Sequence, residues 1–414
     1  MRIVAFVGSY LYKPEAVQLC AKELLLELAR RGNDVSVITT NYEDLLLSDD
    51  GIEVFAIAPY ENNFPFRVRE AKTMGEKSKR FFFTSPGRIK SLAHGYNYFA
   101  PFIMSRVIEK SCLFCQKREP DCLISFSAPF EAHEIARVVK KRVFPYINWI
   151  AYEMDPFAYN YTFPRVTLLQ RRLREKKVLS DADLIFTATG ITEENYRKGF
   201  LLEYEEKTTI VGLPGFSGLI SMDGEPRNFI DANDRDPKVR FLYAGAFYNN
   251  IRTPDSLLKL LSKADFDFEV VFCGTIDEGY FRKHEEVYKK CLFLGYMSQE
   301  EVQDQCLGAD VLLDVQNDIP NQVPSKVLTY MSTGKPIVSL FSSGNDAGLS
   351  YLKNYPYHLA IEKSTVDDPE VLHKFKEFCL GNYVRLEEDS LNAIVSEFST
   401  AGIADTLLRA LDEK

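Results

Sequence analysis

Residues 321–338 read NQVPSKVLTYMSTGKPIV, and this stretch indicates the fold more clearly than any other. A helix is predicted to start at Pro324 or Ser325 and to end at Gly334, after which an apolar strand begins. Lys326 lies in the first helical turn, where a cation opposes the helix dipole unless an anion binds there. Backbone N–H groups at a helix start attract anions, so the stretch predicts contact with phosphate; the alternative is an ordinary surface lysine.

The rest of the chain alternates strands and helices in the same way. Near the N-terminus, a strand at 3–7, a helix at 15–31 and a strand at 34–40 form a βαβ unit, which starts a parallel sheet. A second series follows the Gly- and Pro-containing stretch 212–237. The pattern predicts an α/β fold of two doubly wound, Rossmann-like domains facing a central cleft, with ligands at the carboxyl ends of the strands.

The domain boundaries are predicted from the same two series. The N-terminal domain is placed at 1–215, a linker at 216–237 and the C-terminal domain at 238–390. A helical tail at 391–414 is expected to pack back on the N-terminal domain. With 414 residues, the chain is longer than one hydrophobic core usually serves, which agrees with two domains.

Composition excludes several classes of protein. The net charge of -9 argues against a general nucleic-acid binder. No apolar run reaches the roughly 18 residues that a spanning helix needs, and the short apolar N-terminus does not resemble a signal peptide. The eight cysteines are therefore expected to be reduced thiols of a cytoplasmic protein. Cys112 and Cys115 form a lone C-x-x-C that is predicted to lie on one helix face rather than to bind zinc.

One segment departs from the acidic average. Residues 65–110 contain ten Lys or Arg, three Glu and several aromatic residues, including three consecutive phenylalanines. This segment is either a solvated insertion or a patch that contacts anionic lipids at the inner face of the cell membrane.

The segment 243–252 is a second candidate for phosphate binding, since it follows the first strand of the second series. Gly245 permits close approach of the backbone, and Arg252 can bind two phosphate oxygens at once. Gly274 ends the following strand in the same way. Together with Lys326, Arg252 is expected to bring two cations to one edge of the sheet.

Several segments resemble glycosyltransferase family 4 and its GT-B relatives, and they follow one another along the chain in the same order as in that family. Those of the C-terminal half look like the family's donor-binding elements and are 243–257, 293–296, 309–313 and 324–338. Those of the N-terminal half look like its S-x-P…H and D-P elements and the element before the last strand; they are 125–133, 148–156 and 179–185. The resemblance covers nearly the whole chain.

This resemblance implies a GT-B glycosyltransferase that moves a sugar from a UDP- or GDP-sugar, with retention more often than inversion. The acceptor would be a glycan or a lipid-linked molecule in surface polysaccharide or glycolipid biosynthesis. No cofactor or metal is expected, because Arg252 and Lys326 would neutralise the departing diphosphate. The implied donor-binding residues are Gly245, Arg252, Gly274, Asn321, Pro324, Ser325, Lys326 and Thr329.

The N-terminal half supplies the candidates for the acceptor side. Asp155 follows a strand and could accept the proton of an acceptor hydroxyl, or simply form a turn before Pro156. Glu153 is the substitute for that role, and His133 either lines the acceptor side or is a structural histidine.

The loop at 8–14, between the first strand and the first helix, is the other acceptor-side candidate. It supplies Gly8, Tyr10 and Tyr12, whose rings would stack on a sugar or pack in the interior.

The chain departs from the family at two positions. Asn321 and Thr329 stand where the family has two glutamates, the second of which contacts ribose hydroxyls. This departure keeps open a catalytically silent GT-B homologue that stabilises a partner transferase. A sugar-nucleotide epimerase is a third and weaker hypothesis, since the acid–base set that it needs is not visible.

Overall fold

The computed structural model describes two compact units of this chain. Unit 1 is Met1–Pro214 with Thr400–Lys414, and unit 2 is Gly215–Ser399. The described residues are 1–8, 10–11, 16–41, 43–58, 101–127, 129–155, 157–159, 165–188, 202–215, 238–247, 252–318, 325–342, 347–384 and 386–413. The predicted linker at 216–237 lies outside them.

The described residues of unit 1 form an eight-stranded sheet in the order β3-β4-β2-β1-β5-β6-β7-β8. Neighbouring strands are parallel except for the antiparallel pair β3 and β4. The strands are β1 (Arg2–Phe6), β2 (Asp34–Thr40), β3 (Leu45–Asp49), β4 (Ile52–Ile57), β5 (Cys122–Ser127), β6 (Asn148–Glu153), β7 (Leu184–Ala188) and β8 (Thr208–Val211). Helices cover such sheets, so the central strands are almost wholly buried.

The helices of unit 1 include α1 (Ala16–Arg30), α2 (Pro101–Arg118), α3 (Glu131–Val143) and α4 (Leu168–Leu179). Leu24, Leu25 and Leu28 of α1 are fully buried, and Gly32 follows its end with a φ of 85°, as predicted for a helix-ending glycine. Cys112 and Cys115 lie on α2 as free thiols, which confirms the helix-face interpretation of this pair.

The described part of unit 2 contains a six-stranded parallel sheet in the order β11-β10-β9-β12-β13-β14. Its strands are β9 (Val239–Ala244), β10 (Phe268–Cys273), β11 (Cys291–Gly295), β12 (Val311–Val315), β13 (Ile337–Phe341) and β14 (His358–Glu362). Its helices are α5 (Asp255–Ser262), α6 (Glu285–Tyr288), α7 (Gln299–Gly308), α8 (Lys326–Met331), α9 (Ala347–Leu352), α10 (Pro369–Cys379) and α11 (Glu388–Val395). The capping box predicted for α7 is present, with Ser298 N–H donating to Glu301 Oε2 at 2.7 Å.

The last helix, α12 (Thr400–Asp412), belongs to unit 1. It packs against α1 through buried side chains such as Ile403 and Leu407, and Arg31 donates to the Ala401 carbonyl at 3.0 Å. The predicted tail began at residue 391, whereas the unit boundary falls at Thr400, because α11 is part of unit 2.

No helix among the residues described above combines the length and the apolar character that crossing a membrane requires.

Candidate functional site

In unit 2, glycines stand at the carboxyl ends of two adjacent strands, where the predicted donor loops begin. Gly245 follows β9 with a φ of 131°, and Gly274 follows β10 with a φ of 129°. A Cβ atom on Gly274 would lie 2.2 Å from the carbonyl oxygen of Gly245. Only glycine fits there, so the two loops can approach each other at backbone distance.

Lys326, the first residue of α8, is mostly buried rather than fully exposed. Its side chain is 12% exposed, and its Nζ lies 3.3 Å from Asp314 Oδ1 and 4.1 Å from the centre of the Tyr243 ring. The Nζ makes no hydrogen bond to any residue of the described set. The interpretation of Lys326 as an ordinary surface lysine is therefore wrong.

The pKa of Lys326 is shifted from its usual value to near neutral pH. Burial lowers its pKa to about 7; Asp314 opposes this shift, and the cations Arg252 and Lys363 reinforce it. A bound phosphate would add an anion beside the ammonium group and favour its protonated form.

Asp314 is a site residue that the sequence analysis missed. It is the fourth of the five residues of β12, its side chain is 0% exposed, and its Oδ2 accepts a hydrogen bond from Ser339 Oγ at 3.1 Å. Gln316 Nε2 donates to the same oxygen. The available signal was an aspartate inside the otherwise apolar strand Val311–Val315, since a charge in such a strand needs a partner.

Two further cations lie near Lys326. Arg252 is largely buried, and its Nε and Nη2 donate to the Ala246 carbonyl at 3.2 and 3.0 Å. Lys363, which follows β14, donates to the Gln316 carbonyl at 2.8 Å and to Asp318 Oδ1 at 2.6 Å. The structure thus brings Arg252 and Lys326 together, and Lys363 joins them without having been predicted.

The remaining donor-side residues are less informative. Ser325 precedes α8 but its side chain caps no backbone N–H, and Thr329 is half-buried on α8. Asn321 and Pro324 lie outside the described residues.

In unit 1, His133 is held in a buried polar chain. Trp149 Nε1 donates to Ser125 Oγ at 2.8 Å, and that oxygen lies 2.6 Å from His133 Nδ1. Burial lowers the pKa of His133 to about 3, so the ring is neutral at physiological pH. Its Nε2 lies 3.4 Å from Glu153 Oε1.

Glu153 ends β6 and is buried, and a second buried carboxyl group, Glu175 of α4, accompanies it. Burial raises the pKa of each to about 8. The like charge of Asp155 raises the pKa of Glu153 further, and that of Glu153 raises the pKa of Glu175 further. Glu175 Oε1 accepts the N–H of Ala158 at 3.0 Å. Glu175 was not predicted as a site residue, because nothing in the sequence of a basic helix distinguishes a glutamate whose side chain is buried from one that is exposed.

Asp155 lies two residues beyond β6 and is only half-buried, unlike Glu153. Ser127 Oγ donates to its backbone carbonyl at 3.3 Å. Of the three predicted acid–base residues, Asp155 is therefore the one that solvent reaches.

Gly8 and Tyr10, in the described part of the loop after β1, pack closely on neighbouring residues of unit 1. A Cβ on Gly8 would lie 2.2 Å from Pro129 Cδ, and the buried Tyr10 donates its N–H to Thr39 Oγ1 at 3.0 Å. The position of the Tyr10 ring favours the packing interpretation. Tyr12 lies outside the described residues.

A cavity of about 1070 Å³ lies among the described residues of unit 1, along α2, α3 and α4. None of the predicted site residues lines it. Within the described ranges, no three His, Cys, Asp or Glu side chains are grouped so that they could hold a metal ion.

Comparison with solved structures finds glycosyltransferases that match along the whole chain. The lipopolysaccharide outer core galactosyltransferase WaaB, in its apo form, is 12% identical with a TM-score of 0.59, covering 100% of this chain and 99% of that chain. HepE from Anabaena, in complex with UDP and glucose, is 11% identical with a TM-score of 0.58 and 100% of both chains covered. A glycosyltransferase from Rickettsia africae is 12% identical with a TM-score of 0.60, covering 100% and 98%.

No protein-family model and no curated protein sequence matches the chain. At identities this low, the structural likeness shows the fold. The chain has the GT-B fold of two parallel, Rossmann-like α/β units, which confirms the predicted fold class.

Proposed function

We propose that this chain is a retaining, metal-independent glycosyltransferase that binds a UDP- or GDP-sugar on unit 2. The sugar passes to a glycan or lipid-linked acceptor in surface polysaccharide or glycolipid biosynthesis, in the cytoplasm and at the inner face of the membrane. In the transfer, the anomeric carbon exchanges its bond to the diphosphate for one to the acceptor oxygen. The nucleoside diphosphate leaves as an anion, and the acceptor's hydroxyl proton goes to a base.

The observation that carries this proposal is the set of cations at the strand ends of unit 2. Arg252 and Lys363 both act electrostatically on Lys326. The glycine that begins the first of the two loops, Gly245, lies beside Arg252, since a Cβ there would be 4.0 Å from Arg252 Nη2. Cations held in a buried place stabilise a developing diphosphate charge more strongly than solvated ones do, because little solvent screens them. This supports a diphosphate leaving group that needs no metal.

On unit 1, Asp155 is the best placed candidate to receive a proton, since it is half-buried while Glu153 and His133 are buried. For the proposed retention of configuration, the acceptor attacks the face of the sugar from which the diphosphate departs, and the diphosphate takes the proton. Asp155→Asn should therefore lower kcat only slightly. A large loss of kcat would refute retention and indicate inversion with Asp155 as the general base.

We propose that the basic segment 65–110 contacts the membrane through its residues 65–100, which lie outside the described residues. Two of its ten cations, Arg106 and Lys110, lie on α2 and form ion pairs with Asp44 within unit 1. The proposed membrane contact therefore does not include these two.

A thermal-shift titration with UDP, GDP, ADP and TDP, in the presence of EDTA, tests the donor site. Ligand at 100 times its Kd stabilises the folded state by about 2.7 kcal/mol. We expect one nucleotide to raise the Tm of the wild type and not that of Lys326→Met. The matched control is Lys374→Met, which removes a 61% exposed lysine of α10 and should respond like the wild type.

The catalytically silent homologue remains the second candidate, and one observation favours it. Lys326 already has a counter-ion in Asp314, and Thr329 stands where a ribose-binding glutamate is expected. No shift with any of the four nucleotides would refute the transferase proposal and favour this one, and a search for protein partners would follow.

A further inference from the structure

Asp314 and Lys326 form an ion pair in the interior of unit 2 that neither the fold nor the proposed function requires. Among the described residues, Asp314 is the carboxylate within ion-pair distance of Lys326 Nζ, at 3.3 Å. The nearby cations Arg252 and Lys363 repel the same ammonium group. A lysine so placed would be driven toward its neutral form if the carboxylate were absent.

The ammonium group of Lys326 is confined on several sides. It lies 4.1 Å from the centre of the Tyr243 ring and 6.0 Å from that of Tyr330. Both rings are fixed: the Ala244 N–H donates to Tyr330 Oη at 2.7 Å, and Tyr243 stacks on Phe247 with ring centres 4.4 Å apart. An aromatic face attracts a cation but cannot accept three N–H bonds, so the ammonium group keeps unused donors.

Asp314 is held more firmly than Lys326. Its Oδ2 receives the hydrogen bonds of Ser339 and Gln316, while Oδ1, the oxygen nearest Lys326, has no hydrogen bond in the described residues. The backbone of Gln316 is held in turn by Lys363 at 2.8 Å. The carboxylate is thus anchored to the sheet, and the flexible lysine is the partner that adjusts.

We propose that Asp314 is a positioning residue for Lys326, which holds the ammonium group protonated and in place for the diphosphate of a nucleotide ligand. This inference rests on the proposed function, because it concerns the same donor site. It adds a residue that acts through Lys326 and makes no contact with the ligand in its own right. It also makes nucleotide affinity depend on pH in a way that Asp314 controls.

The sign of that dependence follows from the groups around Lys326. The charged and titratable groups that face the pair are Asp314, Arg252, Lys363, Tyr243, Tyr330 and His358. Burial lowers the pKa of Lys326 to about 7 even with Asp314 present, and the two cations lower it as well. Removing the carboxylate lowers that pKa further, so Asp314→Asn should carry a neutral Lys326 at pH 7.5.

Calorimetric titration with the nucleotide that binds best, from pH 5.5 to pH 8.5, tests the inference. Wild-type affinity should fall with rising pH above about 7, by at most about tenfold per pH unit for one linked proton. For Asp314→Asn the fall should begin at lower pH, leaving binding at least about tenfold weaker at pH 7.5 and largely recovered at pH 5.5. A purely structural role would not predict recovery in acid.

Lys326→Met is the matched control, since it lacks the titrating ammonium group and reports how the nucleotide's own phosphate ionises. Its nucleotide affinity should be low, and should change with pH only as far as the ionisation of that phosphate changes it. If Asp314→Asn alone does not fold, the double variant with Lys326→Met decides. Folding of the double variant would support the pairing, because the lysine left without its carboxylate is then the cause, and its failure to fold would overturn the inference.

A second measurement needs no ligand. Titration of lysine side chains by NMR, with Lys326 assigned from the resonance that Lys326→Met lacks, should show a lower pKa for Lys326 in Asp314→Asn than in the wild type. An unchanged pKa, or the same pH profile of binding in both proteins, overturns the inference alone. If the wild type binds no nucleotide at any pH, the proposed function falls and the diphosphate role with it.

Discussion

His133 Nε2 and Glu153 Oε1 lie 3.4 Å apart in the interior of unit 1, and neither atom has a hydrogen bond within the described residues. The first group is neutral, because burial lowers its pKa to about 3. The second resists ionisation, because burial raises its pKa. The acid–base residues of this unit are therefore tuned by burial, and their protonation should be measurable as a dependence of stability on pH.

The carboxyl pair of Glu153 and Glu175 predicts that unit 1 loses stability as pH rises. Burial raises the pKa of each to about 8, from 4.5 in an unfolded chain, so the folded state binds more protons between these values. The stabilisation is complete below pH 4.5 and is lost as pH rises through about 8. We expect Glu175→Gln to be more stable relative to the wild type at pH 8.5 than at pH 5, measured as Tm.

Gln at this position can still accept the N–H of Ala158, so the change isolates the charge. The control is Glu285→Gln, which alters a 75% exposed glutamate and should leave the pH profile unchanged. Identical profiles for Glu175→Gln and the wild type would contradict the buried pair.

Gly274→Ala should destabilise unit 2. Its φ of 129° is strained for a side chain, and the new Cβ would meet the carbonyl oxygen of Gly245 at 2.2 Å. Strain of this kind costs roughly 1–3 kcal/mol, and the backbone clash adds to it. Urea denaturation measures the loss, with Gly308→Ala as control. That alanine meets nothing within 4 Å, and at the end of α7 it should be neutral or stabilising. Equal stability of both variants would refute the close approach of the two loops.

Ser125→Ala should destabilise unit 1, because it breaks the chain of hydrogen bonds that holds His133. It leaves Trp149 Nε1 and His133 Nδ1 buried without their shared partner, which costs about 1–3 kcal/mol for each unsatisfied group. Trp149 is the single tryptophan of the sequence, so its fluorescence reports unfolding of unit 1 directly. Ser180→Ala, at the exposed C-terminal end of α4 in the same unit, is the control. A loss of stability no larger than that of the control would mean that the hydrogen bonds of Ser125 to Trp149 and His133 contribute little to the stability of unit 1.

Leu407→Ala tests the attachment of the C-terminal helix. Leu407 is 0% exposed where α12 packs in unit 1, and such truncations cost about 2–5 kcal/mol. Leu169→Ala, at a 68% exposed leucine of α4, should cost less than about 0.5 kcal/mol. Trp149 fluorescence in urea compares the two, and similar midpoints would mean that α12 is not part of the folded unit.

The features that sequence analysis predicted correctly are local. The capping box of α7 needs Ser298 and Glu301 three positions apart, and the end of α1 needs one glycine at a positive φ. The start of α8 was predicted within two residues, and its end, at Met331, came three residues before the predicted one, Gly334. Such signals survive in a single sequence because the residues that make them are neighbours in it.

Sequence by itself determined the alternation of strands and helices, the two α/β series and the positions of Gly245, Gly274, Arg252 and Lys326. Only the tertiary structure decided which charges meet. Lys326 pairs with Asp314, twelve residues earlier in the sequence, and Glu175 joins Glu153 from a different element. The physical reason is burial. Removal from water sets the charge of Lys326, Glu153 and His133, and burial depends on how distant segments pack rather than on the residues beside them.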